Sequence, residues 1–262
     1  MDRFVDERDF KLLDRDRYTF FVLCRILGGQ CKLILSDHEK IIICLSSEPF
    51  PVWIWTPDDA SDKDMATAYD AIVQNGLLDG KHHYNVKYKL AKYFINRAGN
   101  EGKELAIQEN MYAYDCPESI KPQFKAPGGL HKCTRDDFEE LVDMIDSFHN
   151  TIGIDIRDRA AYEQDAKRSI DSQKTFFWQD EGKTTACCKY VPNGDMASIS
   201  LVYTKPEFRR KHYAENLVYT VTELARKEGY LPMLYTDADY IASNACYEKI
   251  GYIRRGELCS IG

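Results

Sequence analysis

LVYTKPEFRRKHYAENLVYTVTELA, residues 201–225, sets a strand, a basic turn and a helix in direct succession. Ala197, Ile199, Leu201 and Tyr203 alternate with Ser198, Ser200, Val202 and Thr204, which is the period of a strand. Leu217, Val218, Val221, Leu224 and Ala225 then mark one face of a helix. Arg209, Arg210 and Lys211 stand where the turn meets that helix. The first backbone N–H groups of a helix lack internal acceptors and carry the positive end of its dipole, so such a turn suits a pyrophosphate. The residues alone leave two readings open, a phosphate cradle or a solvated basic turn.

The pattern continues on both sides. Upstream, Thr134 and Asp137 have the spacing of a capping box, followed by an apolar helix face of Phe138, Leu141, Val142, Ile145 and Phe148. A second helix is expected over residues 157–172, then three strands, TFFWQ, TTACCKYV and MASISLVYT, separated by the turn residues EGK and PNGD. Downstream come a strand in YLPMLYTD, a helix over residues 241–250 and a closing strand in YIRRGELCSI.

Residues 116–131, CPESIKPQFKAPGGLH, hold three prolines and two adjacent glycines and read as a linker. Before them, CKLIL and KIIICL flank the polar SDHE turn as a β-hairpin would, and PVWIW is a further strand. Ala66, Tyr69, Ile72 and Val73 recur at helical spacing, as do Tyr84, Tyr88, Ala91 and Ile95, before the extended ELAIQENMYAY. The expected organisation is two α/β domains, residues 1–125 and 126–262.

Residues 209–214, Arg-Arg-Lys-His-Tyr-Ala, follow a strand ending Val202-Tyr203-Thr204 and the pair Pro206-Glu207, and SNACYEKIGY follows at residues 243–252. These two stretches resemble the two signatures of the GCN5-related N-acetyltransferase (GNAT) family, the loop [Q/R]-x-x-G-x-[G/A] after V-Y-T-x-P and the later Y-x-K-x-G-[YF]. The resemblance covers about half the chain. It implies the GNAT fold, a mixed α/β fold with a mostly antiparallel central sheet and a splayed strand pair, here beside an amino-terminal α/β domain. It also implies acetyl-CoA as co-substrate and transfer of the acetyl group to an amine. Two positions depart from the pattern: His212 replaces the loop glycine, and Tyr240 stands where asparagine is usual, seven positions before Tyr247. Glycine permits positive φ and close approach of a ligand, whereas histidine adds a side chain but visits the left-handed region more readily than most residues.

The resemblance assigns cofactor contacts to Leu201, Val202, Tyr203, Arg209, Arg210, Lys211, His212, Tyr213, Ala214 and Asn244. In it the pantetheine arm pairs with the splayed strand, residues 196–204, and a backbone N–H near residues 201–203 stabilises the oxyanion. Tyr247 matches the tyrosine that protonates the departing thiolate; its other reading is a core tyrosine of the last helix. No acid lies within ASISLVYT. Asp237, Asp239 and Glu163 are near in sequence but read as solvated or capping carboxylates, so no general base is assigned. Cys246 has no histidine near it in sequence, which favours direct transfer over an acyl-cysteine. The expected acceptor is a primary amine of a small molecule; the alternative is a weak or inactive acyl-CoA-binding or regulatory protein of the same fold.

PVWIWTPDD with its following helix parallels LVYTKPEF and its helix, each after a hairpin, which suggests an internal repeat. The first copy has Asp58, Asp59, Asp62 and Asp64 at its turn, which repel phosphate, so it is expected to bind no nucleotide.

Composition bounds the rest. A chain of 262 residues with 44% hydrophobic and 29% charged residues is ordinary globular protein. A net charge of −7 and the lack of a long basic stripe argue against a nucleic-acid partner. No apolar run suits a bilayer and the charged start MDRFVDERDFKLLDRDRY does not read as a secretory signal, so neither membrane insertion nor export is expected. Nine cysteines, none in a CxxC pair, are expected as reduced apolar filler in a cytoplasmic protein. His82 and His83 are adjacent, and His131 with Cys133 makes half a zinc pattern, so no metal is expected.

Overall fold

The computed structural model describes residues 1–153 and 156–262. The helices and strands, in chain order, are α1 (Glu7–Leu13), α2 (Phe21–Leu27), β1 (Leu33–Ser36), β2 (Ile42–Leu45), β3 (Val52–Trp55), α3 (Asp62–Gln74), β4 (Tyr84–Val86), α4 (Tyr88–Asn100) and β5 (Ile107–Asp115). They continue with β6 (Gly129–Lys132), α5 (Phe138–Ile152), α6 (Arg159–Asp171), β7 (Thr175–Asp180), β8 (Lys183–Asn193) and β9 (Met196–Thr204). The last four are α7 (Tyr213–Lys227), β10 (Leu231–Asp237), α8 (Ile241–Ile250) and β11 (Ile253–Ile261). The chain forms two compact units, one of Met1–Tyr114, Tyr235–Ile241 and Arg254–Gly262, the other of Asp115–Leu234 and Ala242–Ile253. The fold is mixed α/β with a mixed sheet.

In the first unit β1, β2 and β3 pair antiparallel, β3 and β4 parallel, and β4 antiparallel with β11. The apolar runs of β2 and β3 have a simple cause, because both faces are covered. Ile43, Leu45, Val52 and Ile54 pack with Tyr69, Ile72, Leu90 and Phe94 of α3 and α4. The alternating Ile42, Cys44, Trp53 and Trp55 pack with Leu23 and Leu27 of α2. Each such side chain, fully buried, contributes roughly 1.5–3 kcal/mol. One expectation fails here. Tyr84 lies in β4, and the helix begins only at Tyr88; a three-residue strand is too short for its alternation to stand out beside a helix that shares the same spacing.

In the second unit β6, β7, β8 and β9 pair antiparallel in that order, and β10 joins β9 in parallel. Leu141, Val142 and Ile145 of α5 and Tyr162, Ala166 and Ile170 of α6 cover Phe177, Cys187, Leu201 and Tyr203 on one face. Helix α7 packs on β8 and β9. Thr134 and Asp137 form the expected capping box, with the Thr134 N–H donating to Asp137 Oδ2 at 2.7 Å. The succession β7, β8, β9, α7, β10, α8 repeats β1, β2, β3, α3, β4, α4, with the same strand directions, so the halves share one plan.

Residues 116–131 are strapped along the second unit. Cys116 N donates to Pro232 O at 2.9 Å, Ser119 Oγ to Glu223 Oε1 at 2.7 Å, Ile120 N to Ile250 O at 2.7 Å and Asn216 Nδ2 to Phe124 O at 2.9 Å. Two glycines admit the strap. A Cβ on Gly128 (φ 80°) would collide with the Gln179 carbonyl, and one on Gly251 (φ 100°) with that of Glu118.

Candidate active site

Strand β9 carries a bulge. Cys187 faces Tyr203 and Lys189 faces Ser200, so Leu201 and Val202 stand opposite the single residue Cys188. Leu201 takes a φ of 53°, in a region that costs a non-glycine residue roughly 1–2 kcal/mol. Burial of its side chain in the α5–α6 cluster and the 3.4 Å contact from Cys187 Sγ to its carbonyl hold it there. Tyr203 is buried in the same cluster. Leu201 and Tyr203 therefore offer a ligand their backbone, not their side chains. On the opposite edge, β9 pairs with β10 only through Met196, Ala197 and Ser198 among the described residues. Past Ser198 the register with β10 is not continued among the described residues, and a strand edge whose pairing stops is a template for an extended partner.

The strand leads into a short turn at Pro206–Phe208 and then into the basic residues. Arg209 is extended and its Nε donates to Thr204 O at 3.2 Å, while Arg210 has a φ of 60°. His212 is the N-cap of α7 with φ 62° and ψ 10°, the left-handed conformation that the family glycine would favour. It makes no side-chain cap to the helix, and the first helical donor is Asn216 N, to His212 O at 3.1 Å. The N–H groups of Tyr213, Ala214 and Glu215 thus precede the helical ladder, beside three exposed cations. The Tyr213 side chain is committed elsewhere. Its hydroxyl donates to Asp180 Oδ2 at 2.6 Å, which together with burial lifts the phenol to about 12.

At the equivalent turn of the first unit, Asp58 and Asp64 have partners within the unit. Ser61 and Asp64 form a capping box on α3, and Asp64, which also pairs with Lys40 at 3.0 Å, is held at about 2 by its Ser61 and Lys40 hydrogen bonds. Asp58 pairs with Lys87 at 2.6 Å, and Lys89 donates to the carbonyls of Asp58 and Ala60.

On α8, Asn244 and Tyr247 are buried. The Tyr247 ring stands edge-on to Tyr252 at 5.8 Å, and Tyr252 shares a 2.6 Å hydrogen bond with Thr222 Oγ1. Burial pushes the Cys246 thiol up to about 11, so it stays protonated near neutrality. Tyr240 is exposed, in the turn before α8. The three carboxylates considered for proton transfer have other contacts. Asp237 Oδ1 accepts the Asp239 N–H at 2.8 Å, Asp239 accepts from Asn110 at 3.0 Å, and Glu163 lies 3.8 Å from Arg159. An open recess of about 550 Å³ lined by Asp136, Asp137, Glu140, Glu207, Lys183 and Lys205 adjoins the end of β9 and includes neither the bulge nor Tyr247.

Residues 138–252 match the family described as the acetyltransferase (GNAT) family. The carboxy-terminal half of the chain carries a GNAT domain. No curated protein matches the chain. Among solved structures, a GNAT-family acetyltransferase from Colwellia psychrerythraea superposes with a TM-score of 0.59 at 11% identity, covering 99% of this chain and 97% of that one. A GCN5-related N-acetyltransferase from Kribbella flavida gives 0.60 at 13% identity, covering 92% of each chain. One from Sphaerobacter thermophilus gives 0.61 at 10%, covering 87% of this chain and 81% of that one. At these identities the likeness is one of fold.

Sequence reasoning missed three features. The bulge at Leu201 is one: the apolar alternation in the sequence runs on without a break, whereas the extra residue puts Ile199, opposite Tyr190, and Tyr203, opposite Cys187, on different faces of the sheet. The clamp of Asn216 on Phe124 is another. The third is Glu109 in the first unit, whose carboxyl is raised to about 7 by burial and then by the charge of Asp237. Two groupings bear on metals. His131 is taken up by Asp137 at 2.8 Å. Asp6, Asp9 and His38 bring ligand atoms within 4.8 Å of one another, but the buried Asp9 carboxylate already accepts from Ser36 Oγ, Asp6 N and the His38 ring. No helix among the described residues is long and apolar enough to cross a membrane.

Proposed function

We propose that the GNAT domain transfers an acetyl group from acetyl-CoA to a primary amine of a small molecule, by direct attack. The observation that carries this reading is the continuity of the bulged, half-open edge of β9 with the uncapped, basic start of α7. The parts fit the co-substrate: an open strand edge for the amides of pantetheine, and N–H donors with Arg209, Arg210 and Lys211 for the pyrophosphate. A backbone N–H at residues 201–203 stabilises the oxyanion as the amine attacks the thioester carbonyl. The C–S bond then breaks, the Tyr247 hydroxyl supplies the proton the thiolate takes up, and the proton shed by the acylated nitrogen passes to solvent, from which Tyr247 is reprotonated. The protonated state of Cys246 supports direct transfer, since the nucleophilic form of cysteine is the thiolate. We place the reaction in the cytoplasm, a reading supported by nine cysteines that are all unpaired.

His212 favours a second reading, a protein that binds an acyl-CoA with little or no turnover, because its side chain stands where the family has none. Calorimetry with acetyl-CoA, followed by thiol release across a panel of amines, separates the two. Binding with turnover supports the enzyme, binding without turnover the second reading, and no binding rejects both.

A further inference from the structure

The strap that packs along α7 passes beside the basic turn, and there it leaves an aromatic ring uncovered. Phe124 is 62% exposed. Its backbone is nevertheless fixed, because Asn216, itself only 7% exposed, donates its single amide nitrogen at 2.9 Å to both the Phe124 and the His212 carbonyls. The Phe124 ring lies 5.0 Å from the His212 ring at an interplanar angle of 32°. One buried amide thus ties an exposed aromatic to the residue that opens the proposed phosphate turn.

A large apolar ring kept in water costs free energy, and a planar partner recovers it by stacking. We infer that Phe124, with His212 beside it, is the platform on which the purine base of the CoA nucleotide stacks. The inference rests on the proposed CoA site. A ribose is all that separates the pyrophosphate from the base, so a nucleotide held at residues 209–214 confines its purine to the surroundings of that turn. Phe124 is the exposed aromatic there that the fold has already immobilised, so stacking orders no further backbone. The position was hidden in sequence because residues 116–131 lie far before the turn and carry the composition of a linker.

The test titrates the full chain with acetyl-CoA and with S-acetyl-4′-phosphopantetheine, which lacks the 3′-phosphoadenosine and one phosphate of the pyrophosphate; each ligand is compared between wild type and variant. Phe124→Ala is expected to weaken acetyl-CoA binding by about fivefold to a hundredfold, the range of base–aromatic stacking, and to leave acetyl-phosphopantetheine unchanged. Phe124→Trp is expected to restore acetyl-CoA affinity, with indole emission quenched by the adenine-bearing ligand alone. Wild-type affinity for acetyl-CoA in Phe124→Ala overturns the platform while leaving the CoA site intact, and so does an equal loss of both ligands, which would mean a disturbed turn. Failure of the wild-type chain to bind acetyl-CoA removes the site and the platform together.

Discussion

His212 and Glu215 close the first turn of α7 on each other, Nδ1 to Oε2 at 2.9 Å. The contact holds the imidazole against the helix that His212 itself begins. The backbone beneath it is left-handed, with φ 62°. His212→Ala and His212→Gly both lose the ring and the Glu215 contact, so their difference isolates the backbone. The Gly variant should be more stable by about 1 kcal/mol in urea unfolding. Equal midpoints would mean that the turn relaxes out of the left-handed region.

Replacing Arg209 and Lys211 together by Ala should weaken acetyl-CoA binding, each true charged hydrogen bond being worth ~1.5–3 kcal/mol. The loss should shrink at high salt, where the wild type is itself weakened. Calorimetry at two ionic strengths checks both statements, and unchanged affinity rejects the assignment of the turn.

Glu109 makes a prediction about stability. Its carboxyl ionises near 7 in the folded unit, against an ordinary value of 4.5, because burial and then Asp237 oppose the charge. With the folded value raised, its contribution is fully present below pH 4.5 and is lost as the pH rises through 7. Glu109→Gln should therefore gain on the wild type between pH 4.5 and 8, by about 1–3 kcal/mol. Parallel pH profiles of wild type and variant would refute the raised ionisation.

Tyr247→Phe keeps the buried ring and its packing on Tyr252 and removes only the hydroxyl. Turnover should fall on the order of ten- to a hundredfold, the scale of general-acid effects, with acetyl-CoA affinity nearly unchanged. A variant that loses affinity and keeps its turnover would make the hydroxyl a binding contact.

The sequence by itself determined most elements of the second unit and the family likeness, because periodicity and capping are local; it missed β6, whose Gly129–Lys132 falls largely in the stretch read as linker and takes its strand form from pairing with the distant β7. Thr134 with Asp137, the alternation through Tyr203 and the basic run before α7 each act within a few residues of themselves. Even the left-handed turn at His212 could be anticipated from the residue that the family places there. Tertiary structure decided what depends on partners distant along the chain. Leu201 is held in its bulge by packing against α5 and α6. Phe124 meets His212 where Asn216 donates to both carbonyls, across a long separation in the chain. Glu109 is raised by a burial that three-dimensional packing alone produces, and by Asp237, far along the chain. Local patterns set what each segment becomes, whereas strain, stacking and shifted ionisation arise from the neighbours that folding brings to it.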